Sequence, residues 1–205
     1  PLSLWQAVLG KFLAAWAFLG LALALTFPMW ITVAWLGDPD HGVILASYLG
    51  SWLMAGAFLA VGGALSAATR SQVVAFILTV VICLLFLLAG FPLALDLVRG
   101  WAPQPWVDAF AGLSFLTHFQ AITRGVLDLR DVVFFASVIG FALFTLMLGI
   151  AYGVAMALAR AGALSLEPDT PYRILTLHGT TAFFYWLYAA QAALLVILAV
   201  GETER

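Results

Sequence analysis

The chain has 205 residues, 65% of them hydrophobic and 9% charged, and a net charge of −2 at neutral pH. A soluble domain is nearer half apolar and a quarter charged, so a water-soluble fold, a disordered chain and a disulfide scaffold are excluded, and the bilayer is the solvent for most of the surface. The charge balance also leaves no basic surface for nucleic acid.

The charged residues divide the chain. They are absent from windows 12–37, 42–69, 71–95, 132–159 and 174–201, each 25 to 28 residues long. A helix needs about 20 apolar residues to cross a bilayer core. Its backbone hydrogen bonds must close within the segment, which selects helices. The predicted fold class is all-α: a polytopic membrane protein with five transmembrane helices. One more helical segment, external and either re-entrant or interfacial, is expected between the third and fourth.

The chain begins with Pro1 rather than Met, which reads as a fragment or as a chain lacking its native start. The first apolar run is too long for a cleavable signal peptide. Lys11 precedes the first window, and Asp38, Asp40 and His41 fill the turn after it. Arg70 separates the second and third windows, and Arg160 and Arg173 flank the loop before the fifth. Basic ends alternate with acidic ones. The positive-inside rule then places residues 1–11, 70 and 160–173 in the cytoplasm and the end of the chain outside.

Pro28 in the first window and Pro92 near the end of the third either kink their helices or are tolerated as membrane prolines. Gly56, Ala60, Ala64 and Ala68 form a small-residue stripe on the second span. It reads as a packing seam, within the chain or between subunits. Residues 101–127 are too polar to span and too apolar for a plain loop, and Trp101 and Trp106 are expected at headgroup level.

Catalytic signatures are missing. The sequence has no G-x-x-x-x-G-K-[ST], H-E-x-x-H, C-x-x-C or G-x-S-x-G. Cys83 is the only cysteine, so neither an intramolecular disulfide nor a cysteine metal cluster can form. No carboxylate falls inside a window, which leaves a relay through buried acids unsupported. His178 is the one ionisable side chain within a window. It reads either as an interhelical hydrogen bond or as an axial ligand to haem, with Gly179 making room for the ring.

Two stretches resemble known families. WQAVLGKFLAAW (5–16), LTFPMWITVAWLGDPDHGVILASYLGSWLMAGAFLA (25–60), SQVVAFILTVVICLLFLLAGFP (71–92) and LSFLTHFQAITRGVLDLRDVVFFASVIGF (113–141) resemble the permease subunit of type-2 ATP-binding-cassette exporters, in the group of gliding-motility and copper-enzyme-maturation permeases. The likeness covers residues 1 to about 148, and the family's first two spans are missing. It implies a multi-pass protein of the cell's inner (cytoplasmic) membrane that moves a substrate without catalysis of its own. ATP would be bound by a separate ATPase subunit, and a second permease copy would complete the path. It also implies ATPase coupling through Trp5, Gln6, Gly10 and Lys11, and an external gate segment containing Phe115, His118, Phe119 and Arg124.

Residues 149–205, including AYGVAMALARAGALSLEPDTPYRILTLHGTTAFFYWLYAAQAALLVILAV (151–200), resemble the N-terminal helices of subunit I of haem–copper terminal oxidases. This implies a low-spin haem ligated by His178. The match reaches only the first helices of that family, so oxidase activity is not implied for this chain. The change of likeness near residues 141–150 reads as a fusion or chimera.

Overall fold

The computed structural model describes residues 3–69 and 71–162. Among these the secondary structure is entirely helical: α1 (Leu4–Ala24), α2 (Phe27–Leu36), α3 (His41–Ala68), α4 (Gln72–Leu88), α5 (Pro92–Arg99), α6 (Gln104–Gly112), α7 (Phe115–Ile122) and α8 (Leu129–Arg160).

Each boundary has a local cause. Ser3 and Gln6 form a reciprocal capping box that starts α1 at Leu4. Pro28 has no N–H to offer the carbonyl of Ala24, and α1 ends there. The chain resumes as α2, and the two run on as one 33-residue apolar span, Leu4–Leu36. The Asp40 carboxylate accepts from the N–H groups of Gly42 and Val43 and opens α3. Ser71, Ser114 and Asp128 cap α4, α7 and α8 in the same way.

Among the described residues, three helical segments are long and apolar enough to cross a membrane: Leu4–Leu36, His41–Ala68 and Leu129–Arg160. They match the first, second and fourth expected spans. The third is broken near its end, as the kinked reading of Pro92 has it, and is not one continuous span. Its helix stops at Leu88, and the chain turns by 76° into α5. Gly90 and Pro92 lie at the break, where a proline at the start of the next helix cannot continue the previous ladder. The fifth window, 174–201, lies outside the described residues, so five spans are not established.

The helices alternate in direction around α3. Trp16 stacks on Trp52, and the Thr26 hydroxyl meets that of Tyr48, so α1 runs antiparallel to α3. Gly56 abuts Ile139 and Gly63 abuts Leu146, so α8 runs parallel to α3. One end of the bundle, here the basal end, carries the starts of α1 and α4 and the ends of α3 and α8. The apical end carries α2, the starts of α3 and α8, and the short helices α5–α7.

Glycines on α3 admit its neighbours. Gly50 receives Ile122 and Phe119 of α7, Gly56 receives Trp16 of α1, Gly62 receives Thr79 of α4, and Gly63 receives Leu146 of α8. With little hydrophobic drive between helices in lipid, such close approach is a main source of cohesion. The α1–α3 contact is reciprocal. The Trp16 Nε1–H donates to the Trp52 carbonyl at 2.8 Å, and the Trp52 Nε1–H donates to the Trp16 carbonyl at 3.1 Å. Each indole lies over the glycine four residues beyond the other, Trp16 over Gly56 and Trp52 over Gly20.

A Cβ at position 56 would meet Trp16 Nε1 at 2.6 Å and Ile139 Cδ1 at 3.1 Å. Gly56→Ala is therefore expected to destabilise the bundle by about 1–3 kcal/mol, as overpacking does. Denaturant titration in detergent micelles checks this. A loss smaller than that of Gly10→Ala, where an added carbon meets open space, would contradict it.

Large apolar side chains also cover the outside. Phe18, Leu21, Met29, Ile31, Trp35, Phe76, Ile77, Leu85 and Val133 are all exposed. An outward apolar belt on helices of spanning length makes this a helical membrane protein.

Candidate functional site

The polar centre of the described chain lies where α6, α7 and α8 meet at the apical end. His118 on α7 and Asp131 in the first turn of α8 pair at 2.7 Å between Nδ1 and Oδ1, and each side chain is only 7% exposed. The other ring nitrogen, Nε2, lies 2.9 Å from the carbonyl oxygen of Gly112, the last residue of α6. A carbonyl only accepts, so Nε2 carries a proton and donates it. One proton then remains between Nδ1 and the carboxylate, and the pair is neutral as a unit.

The surroundings reinforce this polarity. The imidazole lies at the C-terminal end of α6, where the helix dipole is negative. The carboxylate lies at the N-terminal end of α8, where it is positive. The ring stacks on Phe134 at 3.8 Å between centroids. One side chain thus ties three helices together, and no buried polar side-chain atom among the described residues lacks a partner.

Below the pair lies an aromatic cluster. Phe115 is fully buried, with its ring against Phe58 of α3, Phe86 of α4, and Phe134 and Phe135 of α8. Ile122, also fully buried, seats the far end of α7 against Gly50. The Ser114 hydroxyl accepts from the N–H groups of Leu116 and Thr117 and points back to the Leu87 carbonyl at 3.4 Å. It lies against Gly90, in the break between α4 and α5. Gly125 closes α7 with a φ of +88°, its backbone against Val43 of α3. α7 is therefore a wedge held in the core.

The residues expected at the gate separate accordingly. Phe115 and His118 are buried, Phe119 is half-buried, and Arg124 is exposed. Asp131 lies one residue outside the charge-free window, yet it is buried within α8. The expectation that no carboxylate enters a span is corrected on this point. α8 begins at Leu129 because Asp128 caps it, and this brings Asp131 onto the inward face.

Trp5, Gln6, Gly10 and Lys11 all lie exposed on the first turns of α1, in the same helix as the span. On α3, Gly56 and Ala60 are buried within the chain, Ala64 is half-buried and Ala68 exposed. His178 lies outside the described residues, as does the rest of the oxidase-like stretch beyond residue 162. Among the described residues no three His, Cys, Asp or Glu side chains converge as a metal site.

Charge is sorted between the two ends. Lys11 and Arg160 are the described charges toward the basal end, and every described carboxylate lies toward the apical end: Asp38, Asp40, Asp96, Asp108, Asp128 and Asp131. Arg99, Arg124 and Arg130 accompany them. No family model matches the chain, and no curated protein or solved structure matches it.

Proposed function

We propose that this chain is a permease subunit of an ATP-binding-cassette exporter in the inner membrane. It would move its substrate with energy from a separate ATPase subunit, alongside a second permease copy. The observation that carries this reading is the α7 wedge. A short helix is seated in the core at one end of a membrane bundle, between a span that breaks early and the span that follows. A closing element of this kind suits a path that opens alternately to two sides.

The opposite end supports the reading. Leu4–Leu36 and Leu129–Arg160 have 33 and 32 residues. At 1.5 Å per residue each is about 50 Å long, against about 30 Å of hydrocarbon. Their ends therefore extend beyond the apolar layer. The start of α1, with Trp5, Gln6, Gly10 and Lys11 exposed, is available to a soluble subunit. The sorted charges favour the cytoplasm for this end.

Co-expression with a tagged ATPase subunit of this transporter class tests the reading. The wild-type chain is expected to be retained on the tag. Trp5→Ala with Lys11→Glu is expected to weaken capture about tenfold or more, since an exposed tryptophan is a frequent anchor. Undiminished capture of the variant removes these residues from the contact. Failure of the wild type to bind any such subunit overturns the permease reading.

A further inference from the structure

We infer that α5 and α6 form a lipid-binding platform that lies in the apical membrane interface, with the headgroup–acyl boundary as its partner. This inference needs the bilayer alone and is independent of the transport reading.

The first argument is length and direction. α4 has 17 residues, about 26 Å of helix, close to the ~30 Å of a hydrocarbon core. Starting at the basal end, it reaches the apical boundary as it stops. The chain then turns by 76°. A helix leaving a membrane-crossing segment at that angle runs close to the plane of the interface.

The second argument is the division of faces. On α5, Leu93 and Leu97 lie one turn apart on one edge and are 70% and 69% exposed. Asp96 and Arg99 occupy a different edge and pair with each other at 3.1 Å. Ala94, Leu95 and Val98 are half-buried toward the protein. On α6, Trp106 and Phe110 are exposed on one side, and Gln104 and Asp108 bond at 2.8 Å on the other. Trp101, in the turn between the helices, is 81% exposed.

Each helix therefore has an uncovered apolar edge and a separate polar edge whose groups satisfy one another. An interfacial helix needs this combination. Tryptophan favours the headgroup level, where its ring is apolar and its N–H is wet. On α4, Leu84, Leu85 and Leu88 are exposed up to the bend, so apolar exposure extends to the start of the platform. The platform joins the core through α6, whose last carbonyl is the acceptor for His118.

The test is site-directed spin labelling in a Cys83→Ala background, with the full chain reconstituted in phosphatidylcholine vesicles. Nitroxides go onto Leu93→Cys, Leu97→Cys and Trp106→Cys, and onto Arg99→Cys and Asp108→Cys. The first three are expected to collide with oxygen several-fold more often than with a water-soluble nickel chelate, and the last two the reverse. Nickel collisions dominating at all five sites would overturn the inference. So would low collision rates with spin–spin broadening at the first three, because a second copy would then cover the face. A second measurement needs no cysteine. Lipids brominated near the headgroup end of the chain are expected to quench the wild-type protein more than the Trp101→Phe, Trp106→Phe variant. Equal quenching would also overturn it.

Discussion

Asp131→Ala is expected to destabilise the folded protein by about 3–5 kcal/mol, the cost of breaking a buried ion pair from one side. The His118 Nδ1–H would lose its acceptor in a site with almost no access to water. His118→Ala should cost a similar amount. It orphans the carboxylate, removes the partner of the Gly112 carbonyl and takes a ring off Phe134. The double variant His118→Phe, Asp131→Leu should recover most of the loss, because it leaves neither charge and keeps a ring on Phe134. The residual deficit belongs to the Gly112 carbonyl, about 1–3 kcal/mol for an unsatisfied buried group. Unfolding in mixed micelles, followed by circular dichroism over the double-mutant cycle, measures these terms. Single-variant losses below about 1 kcal/mol, or losses that simply add, would refute the pair as the tie between α7 and α8.

Gly90→Ala is expected to lift α7 out of its seat, at about 2–4 kcal/mol for overpacking plus a weakened cap. A Cβ at this position would run into the Ser114 and Thr117 hydroxyls and would stand 2.8 Å from Ser114 Cβ. Ser114 cannot swing away freely, because its hydroxyl accepts from Leu116 and Thr117 at the start of the helix. Gly100→Ala is the matched control. Its added carbon meets only Leu97 O at 3.5 Å and Asp96 O at 3.9 Å, so the change should stay within about 0.5 kcal/mol. Hydrogen exchange should also show the amides of Leu116 and Thr117 opening faster in Gly90→Ala alone. Equal stability and equal exchange in both variants would refute Gly90 as the seat of α7.

The two variants separate two roles in one small region. Asp131 and His118 hold α7 to α8 and α6 by polarity. Gly90 lets the broken end of α4 approach the α7 cap by absence of bulk. The same division runs through the bundle. Trp16 and Trp52 bond to each other's backbone carbonyls, and they reach those positions because Gly56 and Gly20 carry no side chain. The pattern is readable as W-x-x-x-G at 16–20 and again at 52–56, although only the three-dimensional structure reveals that the two copies face each other.

Composition and charge spacing alone were enough to determine that the chain is helical and membrane-embedded. They also located the spans at His41–Ala68 and Leu129–Arg160 to within a few residues. A bilayer imposes a minimum length and forbids unpaired backbone, so an uncharged run of sufficient length favours a membrane-crossing helix. Pro92 already marked a kink near the end of the third window. Tertiary structure alone decided that Gly90 beside it meets Ser114 and Thr117 at the cap of α7. It also decided that Phe115 and His118 are core residues, and that Asp131 turns inward to meet His118 thirteen positions away. Hydropathy counts what a segment contains. A contact between distant side chains depends on which faces the packed helices turn toward each other, and no local pattern records that.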